Sequence, residues 1–89
     1  MLIICNVNMF AVEQIVKVGD EIHKVSMDRL GKVVAKMFSS NSEIEEIQLY
    51  GPEAFLAGIV DEIQTCYGLE YSKNTHDLKI EVNKYDLSC

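Results

Sequence analysis

The most regular pattern of apolar and polar residues lies within residues 44–68. Apolar Ile47 and Leu49 alternate with polar or amphipathic neighbours, and this period of two predicts a strand with one core-facing side. The chain then turns, and Pro52 is typical of a first helical position because its missing N–H needs no partner there. Apolar side chains next recur every three to four residues, which predicts a helix that ends at Gly68 as its C-cap. The predicted core-facing stripe of this helix contains Phe55, Leu56, Ile59, Val60, Ile63, Cys66 and Tyr67.

Three strands are predicted at the start of the chain, over residues 2–10, 11–18 and 21–26. In the first strand, one side carries Ile3, Cys5, Val7 and Met9, and the other carries Leu2, Ile4, Asn6 and Asn8. In the second strand, Val12, Gln14, Val16 and Val18 share one side and Ile15 lies on the other, so its sequence leaves open which side faces the core. The connections are short and one contains Gly-Asp, a turn signal, so the three strands predict an antiparallel meander.

A first helix is predicted over residues 27–39, with Ser26 as its N-cap. Its predicted buried stripe contains Met27, Leu30, Val33, Val34, Met37 and Phe38. Apolar residues alternate with polar ones over residues 78–85, which predicts a last strand. Residues 69–72 are a candidate extended segment that pairs with this strand across a turn.

The order of the predicted elements is β-β-β-α-β-α-β, in a single α/β domain over residues 1–89. Crossovers between parallel strands of one sheet are nearly always right-handed. If the first strand is central, the sheet order is 3-2-1-4-5, and both crossovers run in the same direction. Both helices then lie on one sheet face. The fold class is therefore a two-layer α+β sandwich with a mixed five-stranded sheet.

This element order is similar to a minimal ribonuclease H-like topology, the architecture of many nucleases and of the halves of actin-like ATPases. The resemblance covers the whole chain. Nucleases of that fold carry a carboxylate on the first strand and another at the end of the fourth, which hold divalent metals. Here the corresponding positions are Asn6 and Asn8, and Tyr50 and Gly51. An amide cannot supply the negative charge that a hard cation needs. One alternative is therefore a catalytically inactive, nucleic-acid-associated domain.

Charge and cysteine content narrow the classes of function. The chain has fourteen acidic and eight basic residues, a net charge of −6, which argues against a nucleic-acid partner. Apolar runs are too short for a membrane span or a signal peptide, so we expect a cytoplasmic protein. Three cysteines without C-x-x-C spacing argue against a disulfide framework or a zinc site. Cys5 and Cys66 are interpreted as small buried apolar residues, and Cys89 as a terminal free thiol.

No catalytic residue, metal ligand or cofactor site is predicted. His23 and His76 have no partner at ligand spacing, so we interpret both as surface residues. Neighbouring carboxylates such as Glu45 and Glu46 point to opposite sides of a strand and do not converge. Asp61 and Glu62 follow the polar side of their helix and are interpreted as solvated.

The predicted two-layer architecture leaves one sheet face without helices. Apolar side chains on that face alternate with polar ones, and exposed mixed patches of this kind often mark association surfaces. The predicted interface residues are Leu2, Ile4, Asn6, Asn8, Ile15, Gln48 and Tyr50. The main hypothesis is a non-catalytic interaction module that forms a homodimer or binds another protein through this face.

A second hypothesis is a small-molecule binding or catalytic domain. Ligands of open α/β sheets bind beyond the carboxyl ends of the parallel strands. The residues predicted to line such a pocket are Asn8, Tyr50, Gly51 and Glu53.

Overall fold

A computed structural model describes residues 1–70 and 77–84, which form two layers around one core. The strands are β1 (Leu2–Asn6), β2 (Glu13–Val18), β3 (Glu21–Ser26), β4 (Glu46–Gly51) and β5 (Ile80–Lys84), and the helices are α1 (Leu30–Ser40) and α2 (Glu53–Glu70). The sheet order is β3-β2-β1-β4-β5. β1 is antiparallel to β2 and parallel to β4, and β5 is parallel to β4. The predicted order and the two-layer α+β architecture are confirmed.

One face of the sheet packs against both helices. Alternate strand residues supply its buried half, and the helices supply the other half from one stripe each. The buried apolar residues are Ile3, Cys5, Val7, Val16, Val25, Leu30, Val34, Ala35, Phe38, Ile44, Ile47, Leu49, Leu56, Ile59 and Ile63. The structure decides the phase of the second strand, which its sequence left ambiguous: Gln14 and Val16 are buried, whereas Ile15 faces away from the core.

The first two strands are shorter than predicted. Residues 8–12 form a tight connection instead of continuing either strand. The side-chain oxygen of Asn8 accepts a hydrogen bond from the N–H of Phe10 at 2.9 Å, which is the turn chemistry typical of asparagine. The backbone N–H of Ala11 also donates to the carbonyl of Asn8 at 3.1 Å. These local hydrogen bonds replace the pairing between strands, so residues 8–12 form a turn although the sequence pattern predicts strands there.

The first helix begins with one 3-10 turn, Met27–Arg29, before the α-helix starts at Leu30. Ser26 has the extended backbone of an N-cap, but its side chain makes no capping hydrogen bond, so that part of the prediction is wrong. Gly31 is buried although it lies outside the predicted stripe. A Cβ at Gly31 would lie 2.5 Å from Cγ of Glu62, so glycine permits the close contact between α1 and α2.

The second helix begins and ends later than predicted. The carbonyl of Pro52 accepts the N–H of Leu56 at 3.1 Å, which places Pro52 just before the first helical residue. The helix continues through Gly68 to Glu70, so Gly68 is not its C-cap and residues 69 and 70 are helical. Phe55 lies at the edge of the stripe and keeps 36% of its surface exposed. Residues 71 and 72, His76 and Cys89 lie outside the described residues.

Gly51 joins β4 to α2 in a conformation that requires glycine. Its φ is +155°, and a Cβ there would lie 2.9 Å from both Cβ and the carbonyl oxygen of Val7. The strand therefore ends where predicted, against the end of β1. Neither helix, within the described part of the chain, has the combination of length and apolarity needed to cross a bilayer.

Candidate functional site

The sheet face opposite the helices, called here the open face, has no covering element among the described residues. Its members are Leu2, Ile4, Asn6, Glu13, Ile15, Lys17, Ile22, Lys24, Glu46, Gln48, Tyr50, Glu81 and Asn83. The register aligns them in rows across the strands. One row contains Lys24, Ile15, Asn6, Tyr50 and Asn83, and the next contains Ile22, Lys17, Ile4, Gln48 and Glu81. Six of the seven predicted interface residues therefore share one surface.

Aliphatic side chains run along the centre and the β3 side of the open face. Leu2 and Ile4 on β1 are half-buried by their neighbours. Ile15 is 37% exposed, and Ile22 on the edge strand β3 is 63% exposed. Ile22 was not among the predicted interface residues. Its neighbours His23 and Lys24 are both polar, so the sequence pattern does not show which side of β3 faces the core. The pairing of Ile22 with Lys17 places Ile22 on the open face.

Polar side chains on β4 and β5 are linked to one another across the open face. The Tyr50 hydroxyl donates to Oε1 of Gln48 at 3.0 Å, and Nε2 of Gln48 donates to Glu81 at 3.5 Å. Asn83 lies beside Tyr50 in the register, and its Nδ2 is buried without a hydrogen-bond partner. This half of the face is therefore preorganised and amphipathic.

The charges of the open face are separated between its two halves. The β2–β3 half carries Lys17 and Lys24, and neither forms an ion pair with any residue that the structure describes. On that half the one acidic side chain is Glu13, at the start of β2. The β4–β5 half carries Glu46 and Glu81.

Glu46 is already partly neutralised, because Nζ of Lys79 lies 3.9 Å from its carboxylate. Glu81 forms no ion pair within the described ranges, and it accepts only the weak hydrogen bond from Gln48. With Lys17, Lys24 and Glu13 on one half and Glu46, Glu81 and Lys79 on the other, the β2–β3 half has a net positive charge and the β4–β5 half a net negative charge. They are called here the basic half and the acidic half.

The β1–β2 connection exposes two large apolar side chains. Phe10 is 83% exposed and Val12 is 88% exposed. Buried Gln14 fixes this loop: its Oε1 accepts the N–H of Asn8 at 2.6 Å, and its Nε2 donates to the carbonyls of Asn8 and Ala11. Asn8, predicted as an interface and pocket residue, thus lies in a loop and shapes it through its side chain.

The residues of the predicted pocket lie on different surfaces. Tyr50 faces the open side, whereas Gly51 is buried against Val7. Glu53 is exposed at the start of α2 and pairs with Nζ of Lys84 at 3.0 Å. Glu53 and Lys84 border a groove of about 420 Å³ between α2 and β5. The other groove residues are Leu56, Ala57, Val60 and Val82.

The described residues contain no group of three or more side chains suited to hold a metal ion. Cys5 is fully buried, and burial raises the pKa of its thiol to about 12, so this cysteine is protonated and unreactive at neutral pH. Cys66 is a half-buried free thiol. His23 lies on β3, 3.3 Å from the carboxylate of Glu21, at the surface as predicted.

A basic cluster on α1 was missed by the sequence interpretation. Arg29, Lys32 and Lys36 line a shallow depression together with Val33 and Glu70. Their spacing of three and then four residues places them on one side of a helix, and that spacing was the available signal.

The chain matches no protein-family model, no curated protein and no solved structure. The resemblance to a ribonuclease H-like topology is therefore limited to the order of the elements and of the strands.

Proposed function

We propose that this protein is a non-catalytic association module that binds a protein surface through the open face. The observation that carries the proposal is the placement of both helices on one side of the sheet, which leaves the other side bare. That bare side presents Leu2, Ile4, Ile15, Ile22 and Tyr50 to solvent or at half-burial. A contiguous apolar patch rimmed by polar residues is typical of protein interaction sites.

The composition of the open face fits an interface better than a solvated sheet. A solvated face is usually polar along every strand, whereas here each of the strands β1 to β4 contributes an aliphatic or aromatic side chain. One charged residue, Lys17, lies between Ile22 and Ile4 within the patch, and the other charged residues of the open face lie around it, as in the polar rim of an interface. The free thiols of Cys5 and Cys66 fit a reducing compartment, so we place the module in the cytoplasm.

Site-specific photo-cross-linking tests the proposal in the expressing cell. A photoreactive residue replaces Ile15 on the open face or, as the matched control, exposed Ala57 on α2. We expect a discrete protein adduct from position 15 that position 57 does not give. Adding Ile4→Lys should abolish that adduct, because it places a charge at the centre of the patch. The same absence of an adduct at both positions would contradict the proposal.

A small-molecule function has one observation in its favour, the largely apolar groove of about 420 Å³ between α2 and β5. It borders Glu53, which was predicted as a pocket residue. The ion pair between Glu53 and Lys84 neutralises the charged groups at its rim, so an apolar ligand fits better than an ionic one. A nucleic-acid function has only the α1 cluster in its favour, and Glu70 lies within that cluster.

A further inference from the structure

We propose that the protein surface bound by the open face is that of a second copy of this chain, related by a two-fold axis parallel to β1. This assignment of the partner rests on the proposed function. It is carried by the separation of charge on either side of β1, because a surface with a basic half and an acidic half can be complementary to itself. A two-fold axis parallel to β1 makes use of that property.

A two-fold axis parallel to β1 places β2 of one copy over β4 of the other, and β3 over β5, because the sheet order is β3-β2-β1-β4-β5. Each basic half then faces an acidic half. Sheets that pack face to face keep their strands nearly aligned, and this orientation satisfies that requirement. A two-fold axis across the strands would instead place β2 over β2 and β3 over β3, which brings the basic halves of the two copies together. Like charges in that position oppose association.

The register gives the individual contacts of this dimer. Ile15 and Tyr50 occupy one row, on β2 and β4, so Ile15 of each copy stacks on Tyr50 of the other. Ile4 lies on the axis and meets its own copy. In the same row as Ile4, Lys17 lies over Gln48 of the second copy, beside Glu81 on the neighbouring strand. Each Lys17 therefore gains the carboxylate that it lacks in the isolated chain.

The size of the open face limits the affinity of the dimer. Five strands about 4.8 Å apart, with rows about 3.3 Å per residue, give a flat area of roughly 400 Å². Stable interfaces bury about 800 Å² of accessible surface per partner, and corrugated side chains bury more than their flat area. The flat area is about half of that value, so the interface belongs to the weak class below the stable range. We therefore expect a weak, concentration-dependent dimer, to be measured up to about 1 mM.

Charge-swap complementation by sedimentation equilibrium tests the geometry. Lys17→Glu and Glu81→Lys should each raise the dimer dissociation constant about tenfold or more, because each creates two like-charge contacts per dimer. An equimolar mixture of the two variants should recover wild-type affinity, since both contacts in the mixed dimer then join opposite charges. The matched control is Lys36→Glu on exposed α1, which should leave the dissociation constant unchanged.

Each other result contradicts the proposal in a distinct way. Unchanged affinity in both single variants would locate the dimer contact elsewhere, for example at the sheet edges. Weakened variants without recovery in the mixture would exclude the axis parallel to β1. A monomer at about 1 mM would exclude self-association. In that case, the mass of the cross-linked adduct at position 15 identifies the partner. If the adduct exceeds the mass of the chain by an amount other than 10.1 kDa, the proposed function stands, but the partner is not a second copy. If position 15 gives no adduct either, both the proposed function and the proposed dimer are wrong.

Discussion

Cys5 shows how position alone removes the reactivity of a side chain. It lies on the central strand β1, between β2 and β4, and has no exposed surface. Burial disfavours the thiolate and raises the pKa from 9.0 to about 12. The residue acts as a small apolar side chain in the core, as the sequence predicted. A nucleophile or metal ligand would need the opposite shift.

The pKa of Cys5 predicts a loss of stability at alkaline pH. The folded pKa of about 12 lies above the ordinary value of 9.0, so between these values the folded state keeps a proton that the unfolded state releases. The stabilising effect is complete below pH 9 and decreases by about 1.4 kcal/mol per pH unit as the pH rises toward 12. Urea unfolding at pH 8 and 10.5 should show about 2 kcal/mol more loss in wild type than in Cys5→Ala. Equal losses in the two proteins would contradict the assignment.

Glycines in the two helices have opposite structural roles. Gly31 on α1 is buried where the helices touch, and a Cβ there would overlap the side chain of Glu62. Gly58 and Gly68 on α2 have no atom near the position of a Cβ. The same residue type therefore permits close packing in one helix and only weakens the other through backbone entropy.

Alanine substitutions separate these two roles. Gly58→Ala should raise the free energy of unfolding by about 0.5–1 kcal/mol, because alanine lowers the entropy of the unfolded chain and meets no neighbour. Gly31→Ala should lower it by roughly 1–3 kcal/mol, because the helices must move apart. Thermal or urea unfolding measures both. A stabilising Gly31→Ala would show that α1 and α2 do not pack as described.

At the scale of the whole molecule, the sheet and the helical layer share one core. Leu49 on β4 and Ile59 on α2 both belong to it, with 0% and 5% of their surface exposed. A shared core couples the layers, because neither can keep its apolar face dry without the other. This coupling is the physical basis of the predicted single domain.

Core truncations test this coupling. Leu49→Ala and Ile59→Ala should each lower the free energy of unfolding by roughly 2–5 kcal/mol, through lost burial and the cavity left behind. Circular dichroism and tyrosine fluorescence should still report one coincident transition. Val12→Ala, at an exposed loop position, should change stability by no more than about 0.5 kcal/mol. Separate transitions for the two probes would contradict a single cooperative domain.

The strand order and the buried residues of β1 and β4 could be predicted because the alternation of apolar side chains is a local property of an extended backbone. The same alternation placed Leu2, Ile4 and Tyr50 on the open face. Ile22 could not be placed, since its neighbours His23 and Lys24 are both polar and the strand has no clear apolar side. Its side follows from pairing with Lys17 on β2.

The number and type of the elements, the sheet order and the face that the helices cover could all be predicted from local sequence patterns. Local periodicity and the handedness of crossovers suffice for these. The end of α2, the reason for glycine at position 31 and the division of charge on either side of β1 became evident only in the folded molecule. These depend on contacts between residues far apart in the chain, such as Gly31 with Glu62 and Gln48 with Glu81. No local pattern encodes which distant side chains will meet.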